Sequence, residues 1–376
     1  MNKHIVLLNT AHFSFDDRVF YHQAESLSQN GYRVTIVSTM ETRIEAKENI
    51  HISSCNLNSF SQNGKQQKII EHLGRLSPDI VICDTPIAVL SAYKYGKKHK
   101  IKIVYDITEW YPSYNNLKNC KGLKKGFRRI ILILFYLYAG FISDGFIFGE
   151  QYKSKPFRLL YFWKPFVFLS YFPDLKYIKP LPIGNITQTI RLFYGGSFSP
   201  RRGIRQLVQS TIKAAQNKPE ITFQLHLIGN VSTTNEQHYF DELANTIPAN
   251  VEIHLKPLLF FADFCQYISR MDLYFDLRTM SWEQNHSLPI KLFYYLACGR
   301  PVIYSKLKSI TNFFSDISFG FLVNPSDCDA VTHIILHYIE NQTVYTEHCQ
   351  NALKLSRKKY NWDTIKDDFL RFIQQF

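Results

Sequence analysis

The sequence has no apolar segment long enough to span a membrane. Its longest such run, Ile130 to Ile142, falls short of the roughly 20 residues a spanning helix needs. The N-terminus also lacks the apolar stretch of a signal peptide and reads as a first β-strand, so a cytoplasmic protein is expected. The seven cysteines (Cys55, Cys83, Cys120, Cys265, Cys298, Cys328 and Cys349) include no C-x-x-C pair, which argues against a disulfide framework and against a zinc site. Proline (15) and glycine (16) are sparse and 45% of residues are hydrophobic, which excludes disorder, collagen-like repeats and low-complexity tails. No solenoid period is present. Acidic residues are the other shortage: 31 Asp and Glu against 44 Lys and Arg leave a net charge of +13. That balance favours nucleotides, nucleic acid or an anionic membrane as partners. Nucleic acid is not expected, because no zinc-finger or RNP-like signature accompanies the charge.

With 376 residues the chain is long enough for two domains. Its first part alternates short β-branched runs (Ile5–Leu8, Val34–Val37, Ile80–Ile82, Ile101–Tyr105) with helical patterns, the mark of parallel βαβ units in a doubly wound sheet. Between the first two runs, Val19, Gln23 and Leu27 fit a helix with an acidic start at Asp16-Asp17. This is a Rossmann-like opening without its glycines. A second series comprises the run ending at Tyr194-Gly195-Gly196, then Phe223–Ile228, Val251–Leu255, Leu273–Leu277 and Pro301–Tyr304. The Pro-rich stretch Lys179–Gly184 lies between the two series as a linker. Expected domains are therefore 1–180 and 181–360, with a C-terminal helix over 361–376 able to close an edge of either.

Two places in the second series suit an anion. After the strand ending at Tyr194 come Gly195-Gly196-Ser197 and Pro200-Arg201-Arg202-Gly203, then a helix marked by Ile204, Leu207, Val208 and Ile212. Small residues let backbone amides approach a diphosphate, the helix start adds partial positive charge, and Arg202 can fork two hydrogen bonds onto a phosphate. The alternative is a solvated arginine pair in an ordinary loop. A second helix starts at Ser287-Leu288-Pro289-Ile290-Lys291 and stops sharply before Gly299 and Pro301. Lys291 opposes the helix dipole there, at about 0.3–1 kcal/mol, which is easier to understand beside an anion.

The segment from Ser287 to Ile303, with Lys291 and Cys298-Gly299-Arg300-Pro301, resembles the donor-site helix and strand of glycosyltransferase family 4. Asp16-Asp17-Arg18-Val19 through Val37 resembles that family's opening. Ser77–Ile82 and Tyr105-Asp106-Ile107-Thr108-Glu109-Trp110-Tyr111-Pro112 resemble acceptor-domain landmarks, and Arg202-Gly203-Ile204, Gly320–Val323 with Pro325, and Tyr360-Asn361-Trp362 complete the order. The resemblance implies a GT-B fold: α/β, two Rossmann-like doubly wound parallel-sheet domains facing a cleft, acceptor in the first and nucleotide sugar in the second. It implies transfer with retention, no metal and no resident cofactor. The donor-binding set it implies is Gly196, Ser197, Arg202, Gly203, Glu283, His286, Ser287, Lys291 and Tyr294. Arg202 and Lys291 would neutralise the leaving diphosphate.

The sequence departs from the family pattern in three places. Two glutamates that commonly grip sugar and ribose hydroxyls are His286 and Tyr294 here, a common arginine is Ser197, and a common acceptor-domain histidine is Thr108. Glu283 could take over a hydroxyl-binding role. Asp106 and Glu109 follow the strand Ile101–Tyr105 at its carboxyl end, where open sheets bind ligands, so either could orient or deprotonate an acceptor hydroxyl. Asp106 could instead cap the loop. Lys121, Lys124, Lys125, Arg128 and Arg129 recur at helical spacing, with Leu123, Phe127, Ile130, Ile131 and Leu134 beside them and no acid from Trp110 through Ser143. This reads as a stripe for an anionic membrane surface, or as a solvated face opposite a buried one. The aromatic run Phe157 to Phe172 reads as core or interface. The expected function is sugar transfer from a nucleotide donor to a glycan or lipid-linked acceptor in surface-polysaccharide assembly. The alternatives are a degenerate nucleotide-sugar-binding module and a nucleotide-sugar epimerase.

Overall fold

The computed structural model describes residues 3–110, 113–117, 120–231, 234–243 and 247–376. Met1, Asn2 and the Tyr111-Pro112 pair that closed one family landmark lie outside the described residues. The chain forms two compact units, one of Met1–Tyr171 with Ile365–Phe376, the other of Phe172–Thr364. The division thus comes ahead of the Pro-rich stretch. Phe172 packs on Phe293 and Tyr360, and the carbonyls of Leu181 and Pro182 accept hydrogen bonds from Arg300, so this segment already belongs to the second unit.

The first unit is built on an eight-stranded sheet of β1 (His4–Asn9), β2 (Arg33–Ser38), β3 (Arg43–Lys47), β4 (Ile50–Ser54), β5 (Ile80–Cys83), β6 (Lys102–Ile107), β7 (Gly145–Phe148) and β8 (Phe166–Phe168). Its order is β3-β4-β2-β1-β5-β6-β7-β8, with only β3 antiparallel to its neighbour. The central strands are buried, which is why they read as continuous apolar runs. β3 is mostly exposed and charged, as suits an edge, and its sequence carries no strand signal. A π-helical stretch, Asp17–Ala24, runs into α1 (Glu25–Gln29). The other helices are α2 (Gln62–Leu76), α3 (Pro86–Gly96), α4 (Tyr114–Leu117), α5 (Gly122–Ile142) and α6 (Gln151–Leu160). Thr85 caps α3 through its hydroxyl, with Pro86 in the first turn.

The second unit has six parallel strands: β9 (Thr189–Gly195), β10 (Thr222–Ile228), β11 (Val251–Lys256), β12 (Leu273–Asp276), β13 (Val302–Ser305) and β14 (Gly320–Val323). Their order is β11-β10-β9-β12-β13-β14. Helices α7 (Ile204–Asn217), α8 (Thr234–Leu243), α9 (Phe261–Ile268), α10 (Trp282–Asn285), α11 (Ile290–Ala297), α12 (Lys308–Phe313), α13 (Cys328–Glu340) and α14 (Gln342–Lys358) complete it. The main core lies on one face of this sheet, with Leu192, Leu225 and Phe275 from strands against Leu207 of α7 and Val331 and Ile335 of α13. The last helix, α15 (Asp363–Ile373), returns the chain to the first unit, where the Phe372 and Phe376 rings pack beside the Cα of Gly145 at the start of β7. All seven cysteines are free.

Candidate functional site

Strand order changes direction between β9 and β12 in the second unit, and ligands of open α/β sheets bind outside the carboxyl ends of strands at such a switch point. The loop after β9 holds Gly196, Ser197, Arg202 and Gly203. Gly203 adopts φ +70°, and a Cβ there would lie 2.1 Å from the Leu277 carbonyl oxygen. Only glycine lets this loop lie against the end of β12. Thr279 N donates to Arg201 O at 2.9 Å, so the loops after β9 and β12 are pinned together. Lys291, in the first turn of α11, crosses to the same place and donates from Nζ to Gly195 O at 2.5 Å. A Cβ on Gly196 would sit 3.2 Å from that Nζ and 2.8 Å from the Tyr194 hydroxyl. The structure therefore brings the β9 loop and Lys291 together.

Sequence reasoning missed the pair at the centre of this region. Asp276 ends β12 fully buried, and Arg278 grips it with Nε to Oδ1 at 2.7 Å and with Nη2 on Oδ2. Arg278 also donates to Gln284 Oε1 at 3.0 Å. Burial works to raise the Asp276 pKa, but the charges of Arg278, Arg202 and Lys291 outweigh it and hold the carboxyl below its ordinary value. Arg278 pairs with this carboxylate directly while Arg202 and Lys291 act on it by charge, and the surplus positive charge suits a diphosphate. The available signal was position, since Arg278 follows a strand at the switch point.

The remaining donor-set residues are arranged differently. Tyr294 is buried, with its ring against Phe261 and Phe264, where the family pattern has a hydroxyl-gripping carboxylate. His286 stacks on Trp282 at 4.6 Å between centroids, and its Nδ1 lies 2.7 Å from the Trp282 carbonyl. Glu283 lies in α10, half-buried, and the Ser287 carbonyl accepts from Ser309. Among the described residues no group of three or more His, Cys, Asp or Glu side chains could hold a metal ion.

In the first unit the strand order switches between β1 and β5, and a pocket of about 240 Å³ opens there, lined by Thr10, Thr39, Lys65, Asp84, Thr108 and Glu109 among others. Asp84, just after β5, accepts from Thr10 N and Ala11 N at 2.9 Å and contacts His12 Nδ1 at 3.1 Å. Partial burial works against a charged His12 ring, but the hydrogen bond to Asp84 and the charges of Asp16, Asp84 and Glu109 raise its pKa to about 9. Burial and the neighbouring Asp17 push Asp16 up to about 7. His12, Asp84 and Asp16 are absent from the sequence-derived site.

Glu109 is exposed at this pocket and Asp106 turns inward. Both Asp106 oxygens accept 2.8 Å hydrogen bonds from Arg18, and Gln23 adds a third at 2.6 Å. Arg18 Nη1 also donates to Leu169 O at 2.7 Å. The π-helical stretch is thereby tied to β6. Lys153 Nζ donates to Thr108 O at 2.6 Å and Tyr171 to the same oxygen at 3.2 Å, fixing the loop that carries Glu109.

Lys121, Lys124, Lys125, Arg128 and Arg129 are all exposed at the start of α5, and so are Leu123, Phe127, Ile130, Ile131 and Leu134. The apolar side of this stripe is not a buried face. The aromatic run divides, with Phe157, Tyr161 and Phe172 buried and Phe162 and Trp163 exposed. No helix among the described residues is long and apolar enough to cross a membrane.

With this geometry in hand, comparison with known proteins gives a consistent result. Residues 189–341 match the family model of the glycosyl transferases group 1. Sucrose-phosphate synthase from Thermosynechococcus elongatus superposes with a TM-score of 0.69 at 12% identity, over 100% of this chain and 99% of that one. Anabaena HepE (Alr3699), crystallised with UDP and glucose, gives 0.67 at 16% identity over 100% of both chains. Staphylococcus aureus TarM, in a complex with UDP and glycan ligands, gives 0.58 at 14% identity over 82% of this chain and 59% of that one. No curated protein matches in sequence. The fold of the chain is GT-B, as the family resemblance implies.

Proposed function

We propose that this chain is a glycosyltransferase that moves a sugar from a nucleoside-diphosphate sugar to a glycan or lipid-linked acceptor in surface-polysaccharide assembly. The observation that carries the reading is that the Arg278–Asp276 pair, the loop bearing Arg202 and the Lys291 amine bound to Gly195 O meet at the β9/β12 switch point. In sugar transfer the bond from the anomeric carbon to the diphosphate oxygen breaks, and the electron pair leaves with the diphosphate. Fixed cations stabilise that charge as it develops, without reorganising. Arg202 and Lys291 are the residues assigned to the leaving group, Gly196, Ser197 and Gly203 bring backbone groups to it, and no metal is required. Arg278 holds Asp276. The acceptor oxygen bonds to the face from which the diphosphate departs, with retention, and its proton passes to the departing phosphate oxygen or to Glu109.

The first-unit pocket is assigned to the acceptor, with Glu109 and Asp84 facing its hydroxyls and His12 paired with Asp84 behind them. Asp106, bound up by Arg18 and Gln23, is a positioning residue. The HepE crystals hold UDP, UDP with glucose, or UDP-glucose, which supports a nucleotide-sugar donor here. Peripheral attachment to the inner face of an anionic membrane through the α5 bases accompanies a lipid-linked acceptor.

Tyr294 favours a second reading. An aromatic side chain packed on Phe261 and Phe264 removes a carboxylate grip on donor hydroxyls, as expected of a module that binds a nucleotide sugar without turning it over. Radiolabelled nucleotide sugars incubated with membrane lipid separate the readings. Label entering the lipid fraction supports transfer, a converted free donor supports epimerisation, and binding with neither supports the module.

A further inference from the structure

α5 extends about 31 Å at 1.5 Å per residue, and an exposed apolar stripe runs its full length. Leu123, Phe127, Ile130, Leu134, Tyr138 and Phe141 are exposed, Leu123 at 95% and Phe127 at 69%. At 100° per residue these six fall in one sector about 80° wide. The buried residues of the helix, Tyr136, Ala139 and Gly140, point the opposite way. Only the second half of α5 is anchored, and its stripe faces away from the unit.

A second exposed apolar group adjoins the end of the same helix. Leu159 lies in the last turn of α6, and Phe162 (79%) and Trp163 (59%) in the segment that leaves it. This segment is fastened to α5 by Tyr161, which donates to Leu137 O at 2.7 Å, and by Lys164, whose Nζ donates to the carbonyls of Gly140, Phe141 and Ser143 at 2.6–2.9 Å. Lys164 satisfies the C-terminal carbonyls of α5 and holds the Phe162–Trp163 pair beside them.

We propose that this surface inserts into an anionic phospholipid bilayer as an in-plane amphipathic helix with an aromatic anchor. The proposal rests on the membrane-attachment reading given above and specifies its mode. Charge complementarity selects the occupant: Lys121, Lys124, Lys125, Arg128 and Arg129 occupy the polar side of the exposed half, and no acid occurs from Trp110 to Ser143. Lys and Arg on the polar face with Phe, Leu and Trp on the other is the composition of a helix lying at a lipid headgroup boundary. The bases draw the chain to the surface over a Debye length, and the apolar stripe then enters the acyl boundary, a contact that salt does not screen.

Flotation of the full chain with phosphatidylglycerol/phosphatidylcholine vesicles, at low and high potassium chloride, tests this. The wild type floats at low salt and stays mostly bound at high salt. F127S/L134S and W163S lose about tenfold or more in vesicle affinity while keeping the thermal midpoint, because all three side chains are exposed. The charge variant K124Q/K125Q/R128Q/R129Q binds at low salt only as well as the wild type does at high salt, and its binding no longer varies with salt. Brominated lipid quenches Trp163, read as the difference between the wild type and W163F. Complete release by salt, with the apolar variants binding like the wild type, overturns insertion while leaving electrostatic attachment standing. Absence of flotation overturns both. A dimer in sedimentation that F127S/L134S abolishes, with no vesicle binding, assigns the stripe to a second copy of the chain and overturns the proposal.

Discussion

Arg202 and Lys291 differ from Arg278 in what their removal does. The first two are the residues proposed to hold the diphosphate, so Arg202→Ala and Lys291→Ala should each weaken nucleoside-diphosphate binding by about 1.5–3 kcal/mol, the worth of a charge-assisted hydrogen bond, with little change in unfolding. Arg278→Ala leaves the buried Asp276 carboxylate without its closest partner and should destabilise the fold by roughly 3 kcal/mol, read by urea titration. Arg18→Met does the same to Asp106 in the first unit, by about 3–5 kcal/mol. His12 gives a pH signature. Its pKa rises from 6.5 to about 9 on folding, so the stability it contributes is whole below pH 6.5 and lost as pH climbs through about 9. His12→Gln should therefore be costliest under mildly acidic conditions, by up to ~3 kcal/mol, and nearly neutral above about pH 10. A penalty that grows with pH would contradict the Asp84 pairing. Lys291 was legible in the sequence because a base in a first helical turn opposes the dipole. Arg278 and His12 were not, because their meaning comes from strands that lie side by side only after folding.

At the scale of elements, the β9–α7 connection is the most constrained. Gly203→Ala must fit a Cβ against the Leu277 carbonyl at positive φ, so it should cost more than about 1 kcal/mol and weaken diphosphate binding together with stability. Equal stability in the variant would show that the loop has room the structure does not give it. The central strands and the helix from Ile290 were legible because buried parallel strands are continuously apolar and the helix ends carry Pro289 and Gly299. The edge strand Arg43–Lys47 and the short β7 and β8 were not, since an exposed charged edge and three or four aromatic-rich residues lack a period that distinguishes strand from loop. For α5, periodicity gave the stripe but not its direction. Apolar spacing predicts a face and leaves open whether protein or lipid covers it.

For the whole molecule, two sheets with their switch points at β1/β5 and β9/β12 put the two candidate sites on the carboxyl edges of their sheets, and the second of these sites holds three cations around one carboxylate. The two-unit GT-B plan could be read from alternating runs and from the order of landmarks along the chain. The place where the first unit ends could not, because Phe172 and the Leu181–Pro182 carbonyls are claimed by partners more than a hundred residues away in sequence. The central claim is that this unit carries a diphosphate on fixed cations alone. Calorimetric titration of UDP, GDP and ADP into the full chain in excess chelator tests it most directly. The account predicts that one of the three binds with unchanged affinity in chelator and that Arg202→Ala and Lys291→Ala each weaken it about tenfold or more. Binding that disappears with chelator, or that neither substitution alters, would contradict it.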